Sequence, residues 1–423
     1  MTSLAISRPS AVDGTPLRAG ARRRNIARNE REDRAMASLP RIDSAKTDYG
    51  TEEAAMVRYR ADGERRAAAL GNRGPIRFDT SGKLDPAILD AYLRCGFYVF
   101  EGVVSKEELG DIERDVAELL EHAPATRGAK TDWSGRPAWG TDLKANTFSF
   151  VRPLSDPLGG TSHAHGRHPA KMFEPTAPAG APEWVLQVVL GSLHFSEACL
   201  RLYGHPQLLA VAAAINGDDF VPFNEAVWVK HPRLGGSVAW HQDGWTHWQA
   251  PDLDERSHGF NYMAQLFGCN AANGLWVVPG SHRIGKADIK AMVAAAGSDR
   301  LPDAVPMLCA PGDVAICNRQ AIHGSFANTS DDVRVTINFG FHRRKDVLGV
   351  ESGGIHNPIA VYDAARIHER SKLIQYAIDA RAQRFPDETP YRYAPLADEA
   401  VALRWTPTAK ASIKDYNLLD LGI

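Results

Sequence analysis

Between residues 105 and 121 the apolar positions Leu109, Ile112, Val116, Leu119 and Leu120 recur at three- and four-residue intervals, the spacing that gathers them on one face of a helix. Ser105 and Glu108 stand three apart ahead of that stripe, a capping-box pattern that predicts the helix start. Upstream, "LDPAILDAYLRCGFYVFEGVV" predicts a short helix and then a β-rich run from Phe97 to Val104. Periodicity fades over residues 123–182, where Gly, Pro and Thr accumulate and only short extended pieces such as "NTFSFV" stand out. Helical patterning is read again from "EWVLQVVLGSLHFSEACLRLYG" to "PQLLAVAAAING".

After Asp218 the pattern becomes one of short strands: "FNEAVWVKH", "SVAWHQD", "FNYMAQLFGC", "GLWVVPGSH", "AVPMLCA", "DVAICN" and "VRVTINFGFH", separated by turn signals. Seven or more short strands predict a sandwich or barrel, so the fold class is mainly β with flanking helices. A late helix is predicted in "VYDAARIHERSKLIQYAIDARAQRF". The opening, with "ARRRNIARNEREDR", is charged and poor in large apolar residues. The expected organisation is therefore a mobile or loosely docked arm over 1–75, the main domain over 76–350 and a helical extension over 351–423.

Composition narrows the function. The 423 residues are 44% hydrophobic, enough for a large core, and the formal net charge of −2 gives no basic field for nucleic acid. Five cysteines without CxxC spacing fit reduced thiols of a cytoplasmic protein better than a disulfide framework. No stretch approaches the 18 or so apolar residues of a membrane span, and no apolar segment of a secretory signal follows the N-terminus.

The densest candidate chemistry lies in "AWHQDGWTHW", residues 239–248. On a strand, His241 and Asp243 share a face while Gln242 points away. A facial metal centre of two histidines and one carboxylate, the arrangement of non-haem Fe(II) oxygenases, needs one more histidine from elsewhere. His323, 80 positions later (323 − 243), closes a β-rich segment at a tight "HGS" turn. Eleven positions beyond it comes Arg334 (334 − 323), in a strand whose Val333, Val335, Ile337 and Phe339 share one face and whose Arg334, Thr336 and Asn338 share the other. An arginine aimed inward from such a strand calls for an anion.

With these residues in place, the chain resembles the phytanoyl-CoA dioxygenase family of Fe(II)/2-oxoglutarate oxygenases. The matching pieces are "CGFYVFEGVVSKEEL", "WHQD", "NGLWVVPGSHRIG", "PGDVAICN" and "HGSFANTSDDVRVTINFGF", in family order over roughly residues 80–345. The resemblance implies a double-stranded β-helix (jelly-roll, cupin-like) core, with iron ligands at His241, Asp243 and His323 and an arginine clamp for 2-oxoglutarate at Arg334. It also implies a 2-oxoglutarate contact at Ser325, two positions after the distal histidine. The implied reaction consumes O2 and 2-oxoglutarate, releases succinate and CO2, and hydroxylates a small molecule. Asp243 favours hydroxylation over halogenation, because related halogenases carry a small residue there.

Trp245 and Trp248, just past the ligands, are candidates for the substrate pocket, and His247 for its mouth. "SHAHGRH", with His163, His165 and His168, reads as a lid or an exposed loop rather than a second metal site. Two other readings keep the same scaffold: a protein side-chain hydroxylase, and a non-catalytic jelly-roll binding protein. The tail helix around 361–385 either covers the barrel or forms the contact of a homodimer. The substrate itself is set by loops, here 123–182 and 244–260, and is not legible.

Overall fold

The computed structural model describes residues 47–244, 258–353 and 357–422. Its strands are β1 (Arg73–Gly74), β2 (Phe97–Phe100), β3 (Phe148–Val151), β4 (Val185–Leu190), β5 (Val221–Lys230), β6 (Val238–His241), β7 (Gly259–Gln265), β8 (Trp276–Val277), β9 (Val305–Pro306), β10 (Val314–Asn318), β11 (His323–Ser325), β12 (Arg334–His342), β13 (Glu351–Ser352) and β14 (Ala360–Val361). An eight-stranded sheet runs β1-β2-β10-β7-β12-β5-β4-β3, a four-stranded sheet runs β6-β11-β8-β9, and β13 and β14 form a separate pair. The chain alternates between the two larger sheets, β6 and β8 in one, β5, β7 and β10 in the other. This is the double-stranded β-helix within a frame of helices.

Strand β12 shows how sequence alternation sets the layers. Val333, Val335, Ile337, Phe339 and Phe341 join the main core, while Arg334, Thr336 and Asn338 face a cavity between the sheets. The core side is covered by helices Lys106–Glu121, Glu197–Tyr203, Pro206–Asn216 and Ala364–Arg384, all of which contribute buried residues to the same cluster. Ser105 and Glu108 make the expected capping box.

Residues 185–190 correct one expectation. They read as the start of a helix, yet they form β4, between β3 and β5. All six are buried. A continuous apolar run carries no period that separates a doubly covered strand from a buried helix, and three of the six are β-branched valines that favour the pleated form. Gly191, at φ 71°, then turns the chain into the short helix that follows.

Within the residues expected as an N-terminal arm, Glu53–Ala69 is a helix lying against β8 and β9. The Tyr59 ring stacks on Trp276 with centroids 4.5 Å apart, its hydroxyl donates to Leu301 O at 2.8 Å, and Met56 is fully buried. Gly63 allows the approach, since a Cβ there would lie 2.5 Å from the Trp276 ring. Residues 1–46 lie outside the described residues. Among the described residues no helix is long and apolar enough to cross a membrane, and all five cysteines are buried thiols.

Candidate active site

His241 ends β6 and His323 begins β11, and the two face each other directly across the antiparallel pair. Their rings lie 4.1 Å apart between centroids. Asp243 follows two residues after His241, its backbone N–H donating to Arg319 O at 2.8 Å. Asp243 Oδ1 is 3.4 Å from His241 Nε2 and Oδ2 is 3.8 Å from His323 Nε2. One ligand atom from each of the three lies within 4.8 Å of the others, and all three residues are buried.

The histidine tautomers suit a metal. His241 Nδ1 lies 2.9 Å from Ala239 O and His323 Nδ1 lies 2.9 Å from Ala321 O. Each Nδ1–H therefore donates to a backbone carbonyl, and each Nε2 turns its lone pair toward Asp243. Burial, then the neighbouring His241, pushes His323 down to about 4, so its ring is neutral near pH 7. Burial would raise the Asp243 carboxyl, but the His241 contact and the positive guanidinium groups of Arg167 and Arg319 outweigh it and hold the group well below the usual range. Asn261 Nδ2 donates to Oδ2 at 2.9 Å and fixes the carboxylate's rotation. Two imidazoles and one carboxylate on one side of a cavity are a donor set that fits Fe(II).

The cavity holds about 220 Å³. Val238, His241, His323 and Ser325 approach it from the small sheet, and Trp228, Met263, Gln265 and Arg334 from the large one. Arg334 stands opposite Lys230 in the β12–β5 register. Its Nη1 donates to Asn273 O at 2.9 Å, while its Nε has no partner among the described residues, and the buried Ser325 Oγ has none either. Burial pushes Arg334 down to about 10, and no carboxylate is among the groups acting against that shift. A buried guanidinium without a counter-anion among the described residues, with an unpaired hydroxyl lining the same cavity, fits the distal carboxylate of 2-oxoglutarate. Lys230 is not equivalent, because it is committed to Phe326 O and burial, then Arg334 and Arg60, hold it far below its ordinary value.

Two parts of the cavity wall were not assigned to the site from sequence. Arg319 lies with its guanidinium 4.3 Å above the Phe223 ring and its Nε 3.9 Å from Asp243 Oδ2. Residues Asp420 and Gly422 reach the cavity from beyond the tail helix, where Tyr362 OH and Ser352 Oγ both donate to Gly422 O, at 2.8 and 3.1 Å.

The "SHAHGRH" loop, read from sequence as a lid or an exposed loop, lines the same cavity. Asp156 holds both of its ends: Oδ1 accepts from Leu158 and Gly159 N, at 3.2 and 2.9 Å, and Oδ2 from Met172 N at 2.8 Å. A Cβ at Gly159 would lie 2.0 Å from that carboxylate. The D-x-x-G spacing was the available signal. Ala164 and His165 take positive φ, 48° and 59°, a strained turn that brings Arg167 and His168 to the cavity. Trp245, His247 and Trp248 lie outside the described residues.

The family model described as phytanoyl-CoA dioxygenase matches residues 92–336, more than half of the chain. The chain belongs to the phytanoyl-CoA dioxygenase family. It is an Fe(II)/2-oxoglutarate-dependent oxygenase, and the His-Asp-His cluster lies within the matched segment. Among curated proteins no sequence match to this oxygenase is found. Solved structures with a similar course of chain include EctD from S. alaskensis with 2-oxoglutarate and 5-hydroxyectoine, at 20% identity over 64% of this chain and 81% of that one, TM-score 0.44. AviO1 from Streptomyces viridochromogenes Tue57 matches at 21% identity over 61% and 94%, TM-score 0.40. The non-heme alpha ketoglutarate dependent epimerase SnoN from nogalamycin biosynthesis matches at 18% over 61% and 84%, TM-score 0.40. None is alike enough to carry a residue's role across to this family member.

Proposed function

We propose that this oxygenase hydroxylates a small molecule, with His241, Asp243 and His323 holding the iron and Arg334 and Ser325 holding the distal carboxylate of 2-oxoglutarate. Iron, O2 and 2-oxoglutarate together supply an oxidant able to break a C–H bond, with release of succinate and CO2. The chain's own residues bind, orient and exclude water. Nδ1–H bonds to Ala239 and Ala321 aim the two imidazoles. Asn261 aims the carboxylate. The enclosed walls keep solvent from the reacting centre.

The single observation that carries the reading is the juxtaposition of three buried donor atoms within 4.8 Å and, in the same cavity, a buried arginine that lacks an anion. Asp243 occupies the ligand position, which favours hydroxylation over halogenation. The cavity's size favours a small molecule over a protein side chain. In this reading the core within 76–350 carries the chemistry and the 351–423 extension closes one end of the cavity.

Anaerobic addition of Fe(II) and 2-oxoglutarate should produce a weak visible charge-transfer band. The band should vanish in His323→Ala. No band in the wild type, or an undiminished band in the variant, refutes the assignment. A metabolite screen read by succinate release, with Asp243→Ala as the blank, identifies the substrate.

A further inference from the structure

Two polar side chains of the cavity are neither iron ligands nor members of the 2-oxoglutarate clamp in the reading above. His168 is 1% exposed, and neither of its ring nitrogens has a hydrogen-bond partner among the described residues. Its ring lies 4.2 Å from that of His241, between centroids, yet it is not one of the clustered donors. Arg167, next in the chain, has an Nε without a partner. Its Nη1 stands 3.6 Å from Asp243 Oδ1, too far for the short charge-assisted bond such a pair can form. Buried donors left unpaired in a built cavity are a place for a ligand.

The charge of the cavity says which ligand. Among the described residues, Arg167, Arg319 and Arg334 line it against Asp243 and Asp420, three cationic side chains against two anionic ones, a balance of +1 (3 − 2). Fe(II) adds two positive charges and 2-oxoglutarate two negative ones, which leaves +1. Arg334 serves the cosubstrate, and Arg319 is engaged by Phe223 and by His342, whose Nε2 is 3.1 Å from Arg319 Nη1. Arg167 is the cation left for the substrate. Trp228, Val238, Met263 and Leu275 supply apolar wall. The loop that presents Arg167 is held by Asp156 and turned by two left-handed residues, so the two side chains are placed by structure built for that position.

We propose that Arg167 and His168 form a substrate subsite for a carboxylate, and that the substrate is a small organic monoanion with an apolar body. This rests on the iron and 2-oxoglutarate reading above. Arg167 contributes the charge and His168 a ring N–H, and together they set the carboxylate, and hence the reacting carbon, relative to the iron.

The test is a binding titration on the full chain loaded anaerobically with Fe(II) and 2-oxoglutarate, read by the charge-transfer band. Benzoate, benzamide and phenyl phosphate serve as probes of equal ring size. Benzoate should shift the band saturably, and benzamide at the same concentrations should leave it in place. Arg167→Gln should weaken benzoate at least tenfold, read against that variant's own starting band, whose presence reports that the variant is folded and loaded. Arg167→Lys should recover part of the loss, and His168→Ala should weaken benzoate as well. The proposal is overturned if benzoate has no effect, if benzamide or phenyl phosphate binds as tightly, or if Arg167→Gln changes benzoate affinity less than tenfold. Bleaching of the band by benzoate would mean displacement of 2-oxoglutarate and would overturn it too. Absence of the band before any probe is added is a separate result and strikes the iron and 2-oxoglutarate reading instead.

Discussion

Replacing Arg334 by methionine separates the two things a buried cation does. In the cofactor-free protein the charge is a burden. Burial brings its pKa to about 10 from 12.5. At about 1.4 kcal/mol per tenfold change in proton affinity, that corresponds to roughly 3 kcal/mol of destabilisation. Methionine removes the charge and keeps much of the volume, but leaves Asn273 O without its 2.9 Å bond, a loss of about 1–2 kcal/mol. The cofactor-free Arg334→Met protein should therefore unfold at the same or a higher denaturant concentration than the wild type, by roughly 1–2 kcal/mol. Binding should move the other way. Losing one member of a buried charge pair costs about 3–5 kcal/mol, so the affinity for 2-oxoglutarate should fall roughly 150-fold to several thousandfold. Anaerobic titration of the charge-transfer band measures the affinity, and chemical denaturation without metal or cosubstrate measures the stability. A variant that binds 2-oxoglutarate within tenfold of wild type would show that the clamp lies elsewhere, with Arg319 and Arg167 the other cations of the cavity wall among the described residues. A variant destabilised by more than about 2 kcal/mol would show that the guanidinium is paid for by structure and not by the ligand.

Three further outcomes follow from other sites. Burial pushes His231 down to about 4, so from pH 6.5 to 4 the unfolded chain takes up a proton that the folded one refuses, and stability falls with acidification by up to roughly 3 kcal/mol for this group. His231→Gln should flatten the pH dependence of the denaturation midpoint in that window, and an unchanged slope refutes the argument. Gly63→Ala should destabilise by about 1–3 kcal/mol through collision with Trp276, 2.5 Å from the new Cβ, although alanine is the better helix former; a rise in melting temperature would show that the helix shifts freely. Asp156→Ala releases three backbone N–H groups, a loss of roughly 2–3 kcal/mol. Trypsin should then cut faster at Arg167 or Lys171 with the charge-transfer band still present, and unchanged cleavage would show that the loop is held by something else.

The cofactor half of the site was legible because it is carried by strands. A two-residue period puts His241 and Asp243 on one face, and an alternating strand turns Arg334 inward opposite Val333 and Val335. Those rules survive translation into coordinates, since His323 sits directly across from His241 and Arg334 faces the cavity. Where a period is missing, the reading failed. "VLQVVL" has none, and burial on both faces made it β4 instead of helix. The helix Glu53–Ala69 was hidden for a related reason. Its contacts run through Tyr59, Met56 and Gly63 against distant Trp276 and Leu301, and the charged remainder of its surface reads as solvated chain.

The proposed substrate half is built differently. Arg167 and His168 stand on a loop whose course is decided by one carboxylate, Asp156, and by two residues in left-handed conformation. Hydropathy records neither. Asp420 and Gly422 reach the same cavity from outside the segment that matches the family, fixed by Tyr362 and Ser352 through a backbone carbonyl. Strands hold what the reaction always needs, the iron and the cosubstrate, in a register that a one-residue slip would invert. Loops and tail can change length and sequence without disturbing that register, and here they supply the guanidinium and the imidazole that no cosubstrate occupies. The division explains why a family model can match residues 92–336 and leave the substrate open. It also points the search for the substrate's chemistry to Arg167 and His168, whose Nε and ring nitrogens have no partner among the described residues.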